Sequence, residues 1–238
     1  MRKIVLLLVA LMMLAGSAMA SPVLCANAGL DVYQAAYTGF SNACQIGDKL
    51  FWNFTYSASS SPDATAAPVA NETAVIPDPG DGVTNPGLIF SVGGFLVFPG
   101  ESMTATITYQ IATLSGSALI EDYSLLFAGS HTAQPNGQGT GSVTESFGNS
   151  PVGTPLVASI GPDGLTSLAG HVEFSPFVAG TTVTTLIQLQ SPNDGLNDRV
   201  TISAIQEHFS ETVPEPYEST LIGSGLLVLA LQLRRARK

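Results

Sequence analysis

The chain is poor in basic residues, and most of those it has lie at its two ends. Between residues 21 and 213 only Lys49 and Arg199 are basic, against 16 Asp and Glu residues, which gives this stretch a formal charge of −14. Such a charge repels nucleic acid and anionic lipid. We therefore expect no nucleic-acid partner. The acidity is compatible with bound divalent cations, but it is more often a feature that keeps a protein soluble.

Motifs that carry catalytic chemistry are also missing. The sequence has no Gly-x-Ser-x-Gly, His-Glu-x-x-His, phosphate-loop or Cys-x-x-Cys pattern, and His131, His171 and His208 are far apart. The acidic residues at Glu121-Asp122 and between 78 and 82 lack EF-hand spacing, so turn chemistry explains them better than calcium binding. We predict no catalytic residues, no metal site and no cofactor.

The first twenty residues have the organisation of a secretory signal peptide. A basic pair at positions 2 and 3 precedes an uncharged run over residues 4–14, and Ala18 and Ala20 form a small-x-small cleavage site. We predict cleavage after Ala20, which leaves Ser21 as the mature N-terminus and makes the Sec translocon and signal peptidase partners. The alternative is an uncleaved anchor, but the run is short for a membrane span.

Export would carry the only two cysteines, Cys25 and Cys44, into an oxidising compartment. Two cysteines in an exported chain are usually paired, so we predict a disulfide between them. It would close a loop of about 20 residues and stabilise the fold by roughly 3 kcal/mol in the chain-entropy model. A catalytic cysteine is the less favoured alternative.

The C-terminus combines a proline motif, an apolar segment and a basic end, in that order. The segment over residues 217–233 would be about 25 Å long as a helix, which predicts a short membrane span. The basic end would then stay in the cytoplasm and the rest of the chain would lie outside. A buried core helix fits the length equally well, but it rarely ends in a basic cluster. The residues concerned are Val213, Pro214, Glu215 and Pro216 in the motif, and Arg234, Arg235, Arg237 and Lys238 in the basic end.

This tail resembles the PEP-CTERM sorting signal of Gram-negative bacteria, which is processed by exosortase, an integral-membrane enzyme similar to cysteine transpeptidases. The resemblance covers about 26 of 238 residues: the Val-Pro-Glu-Pro motif, the Ser-Thr pair at 219–220, the Gly-Ser-Gly-Leu-Leu run at 223–227 and the two arginines at 234–235. The chain departs from the family pattern at Tyr217-Glu218, which separates the motif from the Ser-Thr pair.

The resemblance implies that exosortase recognises Pro214, Glu215 and Pro216. The two prolines remove backbone donors and favour an extended chain, which is an accessible shape for a peptidase. It also implies delivery from the inner membrane to the cell surface or extracellular matrix, in organisms whose exosortase genes accompany exopolysaccharide production. Exopolysaccharide is therefore a candidate partner.

Between the two ends the sequence has the pattern of β-strands. Residues 103–111 alternate apolar side chains with Thr or Gln, and residues 49–56 predict Leu50, Trp52, Phe54 and Tyr56 on one face. Turn signals such as Asp-Gly and Pro-Gly separate the strands, and no long stretch has a helical period. We predict an all-β, antiparallel β-sandwich of about eight to ten strands over residues 21–206, a linker over 207–213 and the sorting tail over 214–238.

The function predicted from these features is that of a non-enzymatic, exported cell-envelope protein with a structural or adhesive role. Three alternatives remain: a glycan- or calcium-binding surface module, a secreted hydrolase, and a periplasmic protein that keeps its C-terminal anchor. The aromatic residues around Trp52 could stack on sugars, but their alternation favours the core. The glycine-rich segment at residues 137–142 is predicted to be a flexible hairpin loop.

Overall fold

The structure, a computed structural model, describes residues 22–61, 64–80, 85–114, 119–132, 137–148, 155–161, 166–167, 170–193 and 198–211. The predicted signal peptide with its cleavage site at Ala20 and Ser21, and the sorting tail from Val213 onward, lie outside these residues. Within the described ranges, no helix is long and apolar enough to cross a membrane.

Strands dominate the described residues, with one α-helix, α1 (Leu30–Ala36), and two 3-10 helices, Phe40–Asn42 and Ala70–Glu72. The strands are β1 (Val23–Leu24), β2 (Ala28–Gly29), β3 (Cys44–Ile46), β4 (Lys49–Ser60), β5 (Thr73–Asp78), β6 (Gly87–Val97), β7 (Ser102–Thr113), β8 (Ile120–Thr132), β9 (Thr140–Phe147), β10 (Leu156–Ile160), β11 (Thr166–Ser167), β12 (Gly170–Val178), β13 (Gly180–Gln190) and β14 (Arg199–Glu211). These fourteen exceed the predicted eight to ten partly because β1, β2 and β11 have only two residues each.

The strands form two sheets that pack face to face, which confirms the predicted all-β, sandwich-like architecture. One sheet has eight strands in the order β1-β3-β4-β7-β13-β9-β10-β11, and the other has six in the order β12-β8-β14-β6-β5-β2. Among the described strands, neighbours are antiparallel except for the short parallel pair β1 and β3.

One core fills the space between the sheets, and the alternation along each strand determines which residues enter it. In β7, Ile107, Tyr109 and Ile111 are fully buried while the residues between them are partly exposed. Burying one such side chain stabilises a fold by about 1.5–3 kcal/mol. Helix α1 adds Leu30 and Tyr33 to the same core.

β14 extends further than expected from the sequence. Residues 207–211, predicted to be linker, belong to this strand, and Phe209 is fully buried. β14 lies between β8 and β6 in the six-stranded sheet. Along it, polar residues that face outward alternate with residues that face the core. The described domain therefore continues to Glu211, two residues before Val213.

A β-bulge in β4 changes the face on which its aromatic residues lie. The pairing with β7 shifts between Trp52 and Thr55, and Asn53 has a positive φ of 58°. As a result Trp52 faces outward while Phe54 is buried in the core. The prediction that Trp52, Phe54 and Tyr56 share one face is therefore wrong, because an extra residue reverses a period of two.

The predicted disulfide between Cys25 and Cys44 is present, with a sequence separation of 19 residues. Cys44 lies in β3 and is fully buried, so the bond ties the N-terminal segment to the eight-stranded sheet. A disulfide of this kind is typical of proteins in an oxidising compartment.

Replacing both cysteines by alanine should lower the free energy of unfolding by about 3 kcal/mol, because the unfolded chain loses its cross-link. Urea unfolding of the variant and of the wild type measures the difference. Wild-type protein treated with a reductant is the matched control and should shift by a similar amount. An unchanged unfolding midpoint in both samples would contradict the expectation.

Because Asn53 has a positive φ, we expect the stability of the domain to depend on which residue occupies position 53. Asn53→Val should destabilise the domain by about 1–2 kcal/mol, because a left-handed backbone is unfavourable for a β-branched residue. Asn53→Gly should be tolerated better, since glycine adopts positive φ without steric cost. Thermal unfolding of the two variants is the measurement, and equal losses would speak against the bulge.

Candidate functional site

Four adjacent strands of the eight-stranded sheet, β4, β7, β13 and β9, present an outer face of polar side chains. Cross-strand pairing places these side chains in four rows. The rows are Trp52, Gln110 and Thr182; Thr55, Thr108, Thr184 and Ser146; Ser57, Thr106, Leu186 and Thr144; and Ser59, Thr104, Gln188 and Ser142. We call these fifteen residues the neutral face.

The neutral face has no charged residue. Charged residues make up 11% of the chain, so about two would be expected among fifteen. Among the described charged residues, Asp122 and Glu173 lie on the other sheet, Glu145 and Glu207 lie in the core, and Lys49 lies at a strand end.

Most polar groups of the neutral face are free to bind a ligand. Within the described residues, the one hydrogen bond that joins two of its side chains runs from the Thr108 hydroxyl to the Thr184 hydroxyl at 3.4 Å. Ser146 donates to the backbone oxygen of Thr184 at 3.5 Å. The remaining hydroxyl and amide groups of the face have no side-chain partner on it, so they can donate to and accept from a bound molecule.

Two shallow depressions mark the ends of the neutral face. The first has a volume of about 170 Å³, and Trp52, Gln110 and Thr182 line it. Phe40, which is 55% exposed, packs edge-on against Trp52 with ring centroids 5.2 Å apart. The second, at the other end, has a volume of about 240 Å³ and is lined by Thr104, Ser142, Gln188, Gln190 and neighbouring residues of β7, β9 and β13.

The outer face of the six-stranded sheet is different because it carries charge. His208 Nε2 lies 3.0 Å from Asp78 Oδ2, and Gln206 donates to the same oxygen at 2.8 Å. Partial burial raises the pKa of Asp78, but hydrogen bonds from His208, Gln206 and the Gly80 backbone outweigh this and hold the pKa below its ordinary value. Gly87, on the strand between them, leaves room for the His208 ring, since a Cβ there would lie 2.5 Å from His208 Cδ2.

The structure does not bring the three histidines together with a nucleophile. His171 Nδ1 lies 3.9 Å from Asp122 Oδ1 on the surface of the six-stranded sheet, while the side chain of His131 is fully buried, 3.9 Å from Asp198 Oδ2. Ser130, beside His131 in the sequence, is hydrogen-bonded to Thr201 instead. Among the residues that the structure describes, no group of three His, Cys, Asp or Glu side chains is arranged to hold a metal ion.

The glycine-rich segment at 137–142 is not a hairpin loop. It leads from β8 in the six-stranded sheet to β9 in the eight-stranded sheet, so it crosses between the sheets. Asp198 Oδ2 accepts hydrogen bonds from the backbone N–H groups of Gln138 at 2.8 Å and Gly139 at 3.0 Å. These bonds hold the start of β9 against the start of β14.

Two carboxyl groups that the sequence did not single out meet in the core. Glu145, on β9, and Glu207, on β14, are fully buried, and the hydroxyl of Thr185 lies 2.9 Å from a carboxyl oxygen of each. Tyr109 donates a short hydrogen bond to Glu207, and the phenol of Tyr123 also interacts with Glu145. In the sequence each Glu lies in an alternating strand, at a position that could face the core or the solvent. Only the strand pairing shows that these two positions face the core.

The geometry requires a proton on one of these carboxyls. A hydroxyl has one hydrogen, so Thr185 can donate to only one of the two and must accept from a protonated partner. Burial and the neighbouring Glu207 charge hold the pKa of Glu145 well above its ordinary value, and burial raises the pKa of Glu207 to about 7. Glu145 is therefore the better candidate for the protonated member.

Comparisons with known proteins do not identify a family. No family model matches the chain, and no curated protein matches it. Among solved structures, TmCBM61 in complex with β-1,4-galactotriose is similar at a TM-score of 0.30 and 10% identity, over 66% of this chain and 88% of that one. The isomalto-dextranase of Arthrobacter globiformis T6, complexed with panose, is similar at a TM-score of 0.25 and 11% identity, over 67% of this chain and 34% of that one. These likenesses are too distant to carry an argument about fold or function.

The carboxyl pair predicts that the domain is more stable at acidic than at alkaline pH. For Glu207, whose pKa rises from 4.5 to about 7, the contribution is full below pH 4.5 and is lost as the pH rises through about 7. That shift corresponds to about 3 kcal/mol. Burial raises the pKa of Glu211 to about 7 as well, which acts in the same direction.

Glu145→Gln isolates the pair from other titrating groups. Its amide can donate to the Thr185 hydroxyl as the protonated carboxyl does, so the variant should match the wild type near pH 5 and be more stable near pH 8. Melting temperatures at the two pH values measure this, and Glu173→Gln, on the exposed surface of β12, is the control. An equal pH dependence in wild type and Glu145→Gln would contradict the prediction.

Proposed function

We propose that this protein is an exported, non-enzymatic cell-envelope protein that exosortase sorts and cleaves at its C-terminal tail. Its β-rich domain would act at the cell surface or in the extracellular matrix in a structural or adhesive role. The proposal takes exosortase, signal peptidase, the Sec translocon and the inner membrane as its processing partners. Exopolysaccharide is the candidate partner of the mature domain.

The observation that carries the proposal is the closed disulfide between Cys25 and Cys44 in a chain with a signal-peptide pattern and a PEP-CTERM-like tail. A stable disulfide fits a domain that folds after export. The two ends of the chain supply the route, since one resembles an export signal and the other a sorting signal. The three features agree although they lie in separate parts of the sequence.

The extent of β14 adds a geometric condition on processing. The strand ends at Glu211, and residues 212 and 213 alone separate it from Pro214. Two extended residues span only about 7 Å. The predicted membrane span begins at Tyr217, so residues 212–216, at most about 18 Å when extended, would hold the folded domain close to the membrane surface while the tail is in the membrane, and exosortase would act on a peptide close to the end of a strand.

Mass spectrometry of both termini tests the proposal on native protein from fractionated cells. We expect a species that begins at Ser21, ends near Pro214 to Pro216 and is found outside the inner membrane. Glu215→Ala should block this trimming, because it changes the motif, whereas Glu218→Ala, three residues further on, should leave it intact. Wild-type protein that retains Lys238 and stays with the inner membrane would overturn the sorting proposal and leave a permanent anchor.

A further inference from the structure

We propose that the neutral face is a binding site for an uncharged polysaccharide chain that lies along β7 and β13. The proposal concerns the ligand of the domain, and it does not depend on whether exosortase cleaves the tail. It stands on the composition, the arrangement and the rigidity of the fifteen residues.

The charge distribution selects the kind of ligand. The domain repels polyanions through its −14 charge, and a cationic molecule would find its partners on the opposite sheet, where Asp78, Asp122 and Glu173 lie. Neither kind of molecule gains an ion pair on the neutral face. A ligand that is itself uncharged binds there without leaving a desolvated charge unpaired on either side.

The chemistry of the side chains favours a carbohydrate over a protein. The centres of protein–protein interfaces are rich in aromatic and apolar residues and poor in serine. Here Trp52 and Leu186 are the two apolar members, and the other thirteen are Thr, Ser or Gln. Hydroxyls that both donate and accept, and amides such as Gln110 and Gln188, are suited to the vicinal hydroxyls of sugars. The apolar surface of Trp52 can contact a sugar ring at one end.

The arrangement is rigid and elongated. β7 and β13 pair continuously over eleven residues without a bulge, and their outward threonines have few rotamers, so ordering them on binding costs little. From Gln110 to Thr104 along β7 is six residues, or about 20 Å. A depression lies at each end of this distance. The site therefore fits a polymer of several sugars better than a monosaccharide.

The test is binding of the full-length protein, purified in a detergent without a sugar headgroup, to neutral polysaccharides. The panel contains a β-glucan, an α-glucan, a mannan and a galactan, with alginate as the anionic comparison. We expect retention by at least one neutral polymer, weaker binding of its monosaccharide, and no retention by alginate. Affinity electrophoresis gives the relative dissociation constants.

Variants at Thr184, in the central rows, locate the site. Thr184→Glu should weaken binding about tenfold or more, since a charge must be desolvated beneath the sugar chain. Thr184→Gln has nearly the same size without the charge and should bind within about threefold of the wild type. Thr201→Glu, on the outer face of the other sheet, should not change binding. If Thr184→Glu fails to fold, the pair Ser57→Glu and Ser57→Gln, at an exposed position of β4, makes the same comparison.

Three results of the binding experiments would overturn the proposal. They are no retention by any neutral polymer of the panel, equal binding by Thr184→Glu and Thr184→Gln, and retention by alginate alone. A wild-type dimer that Thr184→Glu converts to a monomer would also overturn it, because the face would then bind a second copy of the chain. The terminal masses of native protein are independent of all these outcomes, so failure here leaves the sorting proposal standing.

Discussion

One face of each long strand must pack into the single core between the sheets, and the rest of the structure depends on this constraint. Because successive side chains alternate, the residues that the core requires determine which residues remain outside. In β7 the inward Ile107 and Tyr109 leave Thr106 and Thr108 on the surface. The neutral face is therefore a consequence of how the core packs, and its rows exist only because β4, β13 and β9 keep the matching register. A slip of one residue would replace hydroxyls with core side chains.

The same core contains the least expected feature of the domain, the contact of Glu145 and Glu207 through Thr185. Burying two carboxyls is unfavourable unless they share protons and hydrogen bonds, and here Thr185 bonds to both carboxyls and Tyr109 donates to Glu207. Glu145 belongs to the eight-stranded sheet and Glu207 to the six-stranded sheet, so the contact joins the two layers at one register. An apolar core could slide between alternative packings more easily than one whose polar groups must meet. We infer that the pair contributes to a unique alignment of the sheets as well as to pH dependence.

The sequence was sufficient for features set by local pattern and insufficient for those set by pairing. Alternation in residues 103–111 predicted β7, and two cysteines that follow a signal-peptide pattern predicted their disulfide. The bulge at Asn53 was missed because one inserted residue leaves no sign in the hydrophobic pattern, and it carried Trp52 from the expected core to the surface. The sequence predicts a linker at the end of β14 because residues 207–213 are mostly polar, and only the pairing with β8 shows that residues 207–211 belong to the strand. The neutral face joins strands between 52 and 188 in the sequence, so only the strand order could reveal it.

The position of β14 bears on the processing of the tail that we propose. β14 is hydrogen-bonded on both sides, to β8 and to β6, and its last residues lie opposite Asp122 and Ile120 of β8. A pull on the C-terminus directed along this strand would load many backbone hydrogen bonds at once instead of opening them one by one. Under the proposed sorting, a domain held by so short a tether can thus remain folded while its tail is in the membrane. The neutral face lies on the other sheet, so in the proposed sequence of sorting and cleavage a domain attached through β14 would keep that face available at both stages.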